Sequence, residues 1–562
     1  MKNVILISLV TMLLSLTSNA QSPLSCQMQE SQDANRYFNG NCGSGTNGEW
    51  ETYSHLNTYI PDLDPDEPMH NAKLMNININ INIIQKDDGT GNFPNNQETI
   101  DRLKTMISNI NSFYANYGPS DPISWVNELP NFDSKIRFTL GEPGNERIYF
   151  YQNTAAWDDM YVSTTIEPFI AQNYPERLEQ LNVYIFGNPN NNNWMHASMP
   201  SWSNFNKTSW VVIFYWSNPG SDWATAGLLA HEFGHNLDML HTYTGGGASA
   251  ICDPQNDDFL QDVFLVEPPN TSNCPHTGSW GDDPYIVNGD RITNNLLGGT
   301  QSSKYISPMQ AGQMHRSLAI TSIRKYVTCE KSEIPLVIEG EQFWDFDIKL
   351  YRDLIINPNS ELTINCHVVL HPDANIVVKP GGKLIIDGGI IGTDIYETQP
   401  WQGIQVWGDK TAHQFPDANG NYQQGYLELK NGATIENAIV AVDLWKPDDY
   451  SATGGIVHAD GAIFRNNAKS VHALHYKNFN PYDPTQEFDY NSHFKNCIFE
   501  ITNDYSGDEI FYKHVDLAYV KGVNFQSCDF SLAENVTGVS PWNHAIAGYD
   551  AKFGVKAFCN SL

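Results

Sequence analysis

The segment 230–241 places histidines and a glutamate at a spacing that could hold a metal ion. His231 and His235 are four residues apart, so on an α-helix they project from the same face, one turn from each other. Both imidazoles can then reach a single zinc ion at about 2.0–2.1 Å. Glu232, next to the first histidine, can point at a water on that ion without becoming a ligand. These residue types predict metal-assisted hydrolysis with a carboxylate as the general base.

A catalytic zinc needs a third protein ligand, and its fourth position stays open for water. His241 is the candidate, six residues beyond His235. Because that is too far for the same helical face, the helix must end and the chain must turn back near Asp238. Aspartate tolerates a left-handed backbone, so a sharp turn is feasible there. The third histidine makes the motif far more specific; the alternative is a helix whose histidines are ordinary surface or core groups.

The elements around this helix follow an α/β pattern over residues 72–324, in which period-2 strands alternate with amphipathic helices. Isoleucines alternate with asparagines in Ile77–Ile83, which predicts a strand with one apolar face. Further strands are predicted at 136–140, 148–151, 181–186 and 211–216, and helices at 100–114 and 166–172. The last strand leads into the histidine helix, whose predicted N-cap is Ser221 or Asp222. It is also the predicted rim against which an extended substrate would lie as an added strand.

The extended motif resembles that of the metzincin zinc metallopeptidases, HExxHxxGxxH followed by a methionine-containing turn beneath the metal. Asp238 stands at the glycine position, and the best counterpart of the turn is 294–298, with Leu297 where methionine is expected. In the family this methionine is a hydrophobic floor. Leucine is close to it in volume, and such exchanges usually cost less than about 1.5 kcal/mol. The resemblance implies a metzincin-like α/β (α+β) catalytic domain over residues 73–330.

Among metzincins, the sequence most resembles the pappalysin-like group. That group has a cysteine after the third histidine, then an acidic motif, then a second cysteine, and Cys252, Asp257, Asp258, Asp262 and Cys274 follow in this order. The resemblance implies a disulfide between the two cysteines. It also implies a structural Ca²⁺ ion on the three aspartates, for which a solvated acidic loop is the alternative.

Beyond Cys329 the sequence changes to short β-rich runs broken by Gly, Asn, Asp and Pro. Apolar pairs recur at 362/364, 376/378, 384/386 and 427/429, and the first and third are about one solenoid repeat apart. Phe, Cys and Phe also recur at the same offsets in 494–499 and 525–530, as expected of equivalent core positions on different coils. The pattern predicts an all-β, right-handed parallel β-helix over residues 331–562, with a β-sandwich as the alternative.

The N-terminus has the layout of an export signal. Residues 1–20 combine one lysine, an apolar run and a small-residue stop, which predicts a cleaved signal peptide and a secreted, extracellular or cell-surface protein without a membrane span. Residues 21–72 are an N-terminal segment or a short propeptide. Nine cysteines make disulfides expected. Cys26 and Cys42 would pair with each other or, alternatively, mask the zinc as a thiolate.

The charge balance and the motif together set the expected function. The net charge of −32 argues against a nucleic-acid partner. The favoured function is a secreted zinc metalloendopeptidase that acts on a protein or peptide substrate. One alternative is a β-helix that binds an extracellular glycan or surface partner, with Trp401, Trp407 and Trp445 stacking on sugars or, more simply, packing under loops. A further alternative is an adhesion protein with a vestigial zinc domain.

Overall fold

The computed structural model describes most of the chain from residue 73 onward. The described residues are 26–28, 73–116, 133–159, 162–187, 195–201, 204, 206–240, 286–287, 290–291, 295–297, 305–345, 347–394, 397 and 399–556. The predicted signal peptide and most of the segment 21–72 lie outside these ranges. Within them, none of the helices has both the length and the apolar character that a membrane crossing requires.

The N-terminal part, which we define as the described residues up to 328, is built on a mixed β-sheet. Its strands are β1 (Cys26–Met28), β2 (Met75–Gln85), β3 (Ile136–Thr139), β4 (Ile148–Gln152), β5 (Leu181–Phe186), β6 (Met195–Ala197), β7 (Trp210–Phe214) and β10 (Val327–Thr328). Strands β8 (Ile286–Val287) and β9 (Asp290–Arg291) form a separate short hairpin. The spatial order is β1-β6-β7-β5-β2-β10, with β3 and β4 also paired to β2. Strand β6 runs antiparallel to β7, whereas β5 and β7 are parallel.

Helices pack on both faces of this sheet. They are α1 (Gln97–Asn116), α2 (Thr154–Asp159), a π-helical turn (Val162–Ile166), α3 (Glu167–Asn173), α4 (Asp222–Asn236) and α5 (Pro308–Ile320), with 3₁₀ turns at Pro175–Glu179, Pro219–Ser221 and Ser322–Tyr326. The isoleucine face of β2 joins the core that includes residues of α1, α4 and α5. The other face lies under a second apolar layer, to which α2 and α3 contribute.

The asparagines of β2 are buried because the strand is covered on both sides. Asn80 and Asn82 are 0 % exposed. Their side-chain amides both donate to Oδ1 of Asn182 on β5, at 3.3 and 2.9 Å. Buried polar groups need partners inside the protein. The alternation in the sequence therefore marks an apolar face and an amide-paired face, both inside the fold.

The C-terminal region, residues 336–556, consists of parallel strands in three stacked sheets, consistent with a parallel β-helix. We call it the solenoid. The first sheet contains β11 (Leu336–Ile338), β14 (Leu354–Ile356), β17 (Asn375–Val378), β20 (Trp401–Val406), β23 (Ala438–Asp443), β28 (Lys469–Ala473), β33 (Phe511–Ala518) and β36 (Val539–Tyr549). The second contains β12 (Glu341–Trp344), β15 (Glu361–Ile364), β18 (Lys383–Asp387), β21 (Tyr426–Lys430), β26 (Ile456–Asp460), β31 (His493–Lys495), β34 (Lys521–Gln526) and β37 (Lys552–Lys556).

The third sheet contains β13 (Ile348–Leu350), β16 (His367–Leu370), β19 (Ile390–Gly392), β22 (Thr434–Glu436), β27 (Ile463–Arg465), β32 (Ile498–Ile501) and β35 (Asp529–Leu532). Two hairpins project from the coils, β24 (Trp445–Lys446) with β25 (Asp449–Thr453), and β29 (Asn478–Asn480) with β30 (Asp483–Phe488). Each coil except the last thus places one strand in each sheet, which is why the sequence shows brief β-rich runs with turn residues between them.

The apolar pairs predicted to face inward do form the solenoid core. Leu362, Leu384 and Leu427 are neighbours in register on successive coils, so the expected repeat is confirmed. The two Phe-Cys-Phe segments are equivalent positions as well, since Phe494 stacks on Phe525 with ring centroids 4.9 Å apart. The cysteines of these segments, Cys497 and Cys528, are free thiols, as is Cys329, whereas Cys366 is disulfide-bonded.

The solenoid and the N-terminal part share an interface at α5. Ala319, near the end of this helix, belongs to the solenoid core, and α5 contacts β13. Just beyond the helix, Arg324 lies 3.3 Å from Asp394 of the solenoid, and Lys349 lies 3.0 Å from the same carboxylate. All three side chains are buried. A solenoid needs a cover for its end coils, and α5 provides one at the N-terminal end.

Candidate metal centre

The helix that carries the histidines is fixed at its start by a half-buried ion pair. Helix α4 begins at Asp222, with Ser221 as its N-cap residue, in agreement with the predicted boundary. The Asp222 carboxylate accepts hydrogen bonds from Nη2 of Arg102 on α1 at 2.6 Å and from Nε1 of Trp216 at 2.7 Å. A carboxylate in the first turn also interacts favourably with the helix dipole. These contacts hold α4 against α1 and the sheet.

The first two predicted ligands converge inside the protein. His231 and His235 are both buried, and their Nε2 atoms lie 3.1 Å apart. Nδ1 of His231 lies 2.7 Å from the carbonyl oxygen of Leu296, and Nδ1 of His235 lies 2.7 Å from that of Met239. A carbonyl oxygen only accepts hydrogen bonds, so each Nδ1 carries the proton and donates it. The backbone therefore fixes the tautomer in which both Nε2 atoms present lone pairs.

This arrangement fits a metal ion. Two nitrogens that bind one tetrahedral zinc at about 2.0–2.1 Å would be about 3.3 Å apart, close to the 3.1 Å between the two Nε2 atoms. Burial lowers the pKa of His231 to about 4, against the opposite effect of its bond to Leu296. The fold thus favours the neutral imidazole, the form that binds metal. Backbone carbonyls that orient ligating imidazoles are a common feature of zinc sites.

The helix ends where the sequence requires it to end. Helix α4 stops at Asn236, and the amide of Met239 donates back to the carbonyl of Gly234 at 3.0 Å. Asp238 adopts φ of +69°, in the left-handed region. The predicted sharp turn at this residue is confirmed. The Asp238 side chain is buried as well, and its Oδ2 accepts a hydrogen bond from Nε2 of Gln313 on α5 at 2.9 Å.

The turn predicted at 294–298 lies beneath the histidines. Its described residues are 295–297, and Leu297 is 1 % exposed. A methyl group added to Gly234, between the two histidines, would meet Cδ2 of Leu297 at 3.2 Å. The leucine side chain is therefore directly under the helix, and the carbonyl of the preceding Leu296 is the one that orients His231. This is the location expected for a hydrophobic floor.

Helix α5 holds this turn in place. Asn295 exchanges two hydrogen bonds with Gln310, at 2.7 and 3.0 Å, while its Oδ1 also accepts from the amide of Leu297 at 2.9 Å. Gln310 completes a capping box with Ser307 at the start of α5. Sequence reasoning missed this helix and its glutamines. The signal that could have revealed it is the Ser307-Pro308 start followed by a glutamine at the third helical position.

The remaining predicted site residues divide into two groups. Glu232 is described, lies next to His231 on α4 and is buried. His241, the disulfide pair Cys252–Cys274 and the acidic residues Asp257, Asp258 and Asp262 lie outside the described residues. Within the described ranges, no group of three or more His, Cys, Asp or Glu side chains is arranged to hold a metal ion. The described residues thus bring together two of the three predicted ligands.

The predicted rim strand needs correction, and for Trp401 the simpler of the two readings, packing, is confirmed. Strand β7 cannot accept an added strand, because β5 and β6 occupy both of its edges. Strand β6 is closed as well, because β1 pairs with its other edge in parallel, and β1 is the outermost strand on this side of the sheet. Trp401 is 0 % exposed and donates from Nε1 to the carbonyl of Glu436, so it packs in the core and cannot stack on a sugar.

Comparison with known proteins gives no family assignment: no family model matches the chain, and no curated protein matches it significantly.

Proposed function

We propose that the protein is a secreted zinc-dependent endopeptidase with a metzincin-like catalytic domain. His231, His235 and His241 would hold the metal, and Glu232 would act as the general base. The observation that carries this proposal is the pair of Nε2 lone pairs 3.1 Å apart, each fixed by a backbone carbonyl on the far side of its ring. Two acceptor atoms at this distance repel each other unless a positive charge lies between them.

The residues around the pair also support a metal site that is built for hydrolysis. A zinc ion bound here would acidify a water molecule and polarise the scissile carbonyl. Glu232 would take the proton from the attacking water and deliver it to the leaving amine. Its burial, next to His231, keeps this carboxylate out of bulk solvent. Leu297 under Gly234 closes the floor of the site with an apolar side chain.

The substrate would be a protein or peptide outside the cell. Strand β1 covers the edge of β6 in this structure, so an extended peptide would add there only in place of β1. A structural Ca²⁺ on Asp257, Asp258 and Asp262 belongs to the same proposal. The location outside the cell rests on residues 1–20, and N-terminal sequencing of the exported protein should give a start near Gln21.

The direct test is digestion of a peptide library by the full mature chain. We expect cleavage that stops when 1,10-phenanthroline removes the metal and returns when zinc is added. The Glu232→Gln variant is the control, because it should bind zinc as the wild type does yet cleave at least about 10²-fold more slowly. Zinc binding without cleavage of any peptide would favour an adhesion or glycan-binding protein with a vestigial metal site. Cleavage at the wild-type rate in Glu232→Gln would refute the assignment of the base.

A further inference from the structure

Helix α5 makes contacts on three sides that together connect the metal centre to the solenoid. At its start, Gln310 holds the turn beneath His231. One turn later, Gln313 holds the bend that follows His235. Near its end, Ala319 packs into the solenoid core. The same helix therefore contacts both supports of the predicted ligands and the first coils of the C-terminal region.

Asp238 has two separable roles in the bend. Its backbone supplies the left-handed residue that ends α4, with φ of +69°. Its side chain supplies the acceptor for Gln313, and both groups are buried. Glycine would satisfy the first role at no steric cost but not the second. An acceptor side chain is therefore needed at position 238 only if the hydrogen bond from Gln313 contributes to the site.

The solenoid supports the same bend from the other side. Leu240 follows the bend directly, precedes His241, and packs against the apolar cluster formed by Ala319 and the solenoid core. The buried charges of Arg324, Lys349 and Asp394 fix the end of α5 to the solenoid nearby. The bend is thus held by a hydrogen bond from α5 and by apolar packing that includes the solenoid.

We infer that Gln313 and Asp238 are positioning residues for His235, because they hold the bend whose Met239 carbonyl orients its imidazole. The solenoid holds α5 in place, so that the C-terminal region is a structural component of the metal centre. This inference rests on the proposed function. It explains an aspartate at a position where the resemblance predicts glycine. It also gives the solenoid a role that requires no ligand of its own.

The test measures zinc affinity by chelator competition in the full mature chain. Asp238→Asn keeps both the backbone tolerance and an acceptor oxygen, so its affinity should stay within about threefold of wild type. Asp238→Gly keeps only the backbone role, and Gln313→Leu removes the donor. Each should weaken zinc binding by about 10–100-fold, the usual effect of losing a hydrogen bond that orients a metal site. Because both variants break the same hydrogen bond, the double variant should bind zinc no more weakly than either single variant.

A spectroscopic readout and a matched control separate positioning from general stability. The visible spectrum of the Co²⁺-loaded protein should change in Asp238→Gly and Gln313→Leu and be restored in Asp238→Asn. Asn111→Leu is the control, because it removes an amide that bonds the backbone of Phe138 at 2.9 and 2.7 Å, elsewhere in the same part. It should lower the melting temperature and leave zinc affinity unchanged.

The outcomes distinguish this inference from the proposed function. If the wild type binds no zinc, the proposed function fails. If the wild type binds zinc and Asp238→Gly binds it equally well, the metal site stands and the positioning role is wrong. If Asn111→Leu weakens zinc binding as much as Gln313→Leu does, the effect is loss of stability and the inference is again wrong. Should Asp238→Gly fail to fold, Gln313→Leu decides alone.

Discussion

The two regions of the molecule bury their side chains in different ways. In the solenoid, the same apolar position recurs from coil to coil, as in the stack of Leu362, Leu384 and Leu427. In the N-terminal part, single polar pairs such as Asn295–Gln310 and Asp238–Gln313 join elements far apart in sequence. Repeated apolar contacts distribute stability over many equivalent residues. A unique buried polar pair instead fixes the relative position of two elements at one site, because each group requires a specific partner.

The largest difference between the two regions should come from removing the proposed general base, Glu232. Glu232→Gln should lower the rate of peptide hydrolysis by about 10²–10⁴-fold, because a general base is lost while the isosteric amide keeps the packing. Glu428→Gln, on the outer side of solenoid strand β21, is the matched change and should leave the rate unaltered. Rates from a peptide digest and zinc content from metal analysis check both. A comparable loss in the solenoid variant would mean that activity is not confined to the N-terminal part.

The junction between the regions should respond strongly to loss of charge. Asp394→Asn leaves the buried Arg324 and Lys349 without their carboxylate. Removing one partner of a buried ion pair typically costs about 3–5 kcal/mol. We expect a lower unfolding midpoint in urea, and weaker zinc binding if the solenoid supports α5. An unchanged midpoint would show that the regions are energetically independent.

A single cavity in the solenoid core should lower the stability of the solenoid and leave the proposed metal site unchanged. Leu384→Ala removes a fully buried side chain from the middle of a stack and should cost about 2–5 kcal/mol. Because each coil contacts only its neighbours, the loss should stay local. We expect a lower melting temperature for the solenoid, with the hydrolysis rate per folded molecule unchanged at a temperature well below it. A proportional loss of activity would contradict local behaviour.

Low pH should weaken the N-terminal part through His315. Burial lowers the pKa of this imidazole to about 4, against the effect of its bond to Ser134. An unfolded histidine has a pKa of about 6.5, so between these values the unfolded state binds more protons and stability falls as pH falls. His315→Gln should remove this term, on the order of 2–3 kcal/mol at pH 4. Urea unfolding of the wild type and of His315→Gln at pH 7 and pH 4.5 measures this contribution. An equal pH dependence of the two proteins would contradict the lowered pKa of His315.

The smallest change tests Leu297, the apolar floor of the proposed metal site. Leu297→Met introduces the residue that the family resemblance predicts, in a nearly equal volume, and should alter stability by less than about 1.5 kcal/mol. Its zinc affinity should also stay near that of the wild type, since the side chain contacts Gly234 and binds no metal. Calorimetric melting and chelator competition measure the two quantities. A large gain in zinc affinity would show that the leucine impairs the site.

The parts of the structure that could be predicted from sequence are those set by local spacing. The histidines are four residues apart on a helix, and the turn at Asp238 follows from the distance to the next histidine. The solenoid was predictable because its inward pairs repeat. Helix α5 was not, since its buried face carries Gln310, Gln313 and His315, whose partners lie 15, 75 and 181 residues away. In the sequence alone, a helix face of buried polar residues has the same pattern as a solvent-exposed face, because the partners of those residues are not known.

The rim strand was assigned wrongly for a related reason. Strand β7 is apolar throughout and lies inside the sheet, whereas the two strands outside it, β6 (Met195–Ala197) and β1 (Cys26–Met28), have only three residues each. A short strand carries too little alternation to be recognised. An apolar run of five residues indicates burial on both faces, which is typical of a strand in the interior of a covered sheet.

The most direct test of the central claim is X-ray absorption at the zinc edge on the full mature chain. The account predicts one zinc per molecule, with imidazole nitrogens at about 2.0–2.1 Å and a loss of one imidazole in His241→Ala. A spectrum dominated by sulfur at about 2.3 Å, or a protein that retains no zinc after purification, would contradict it.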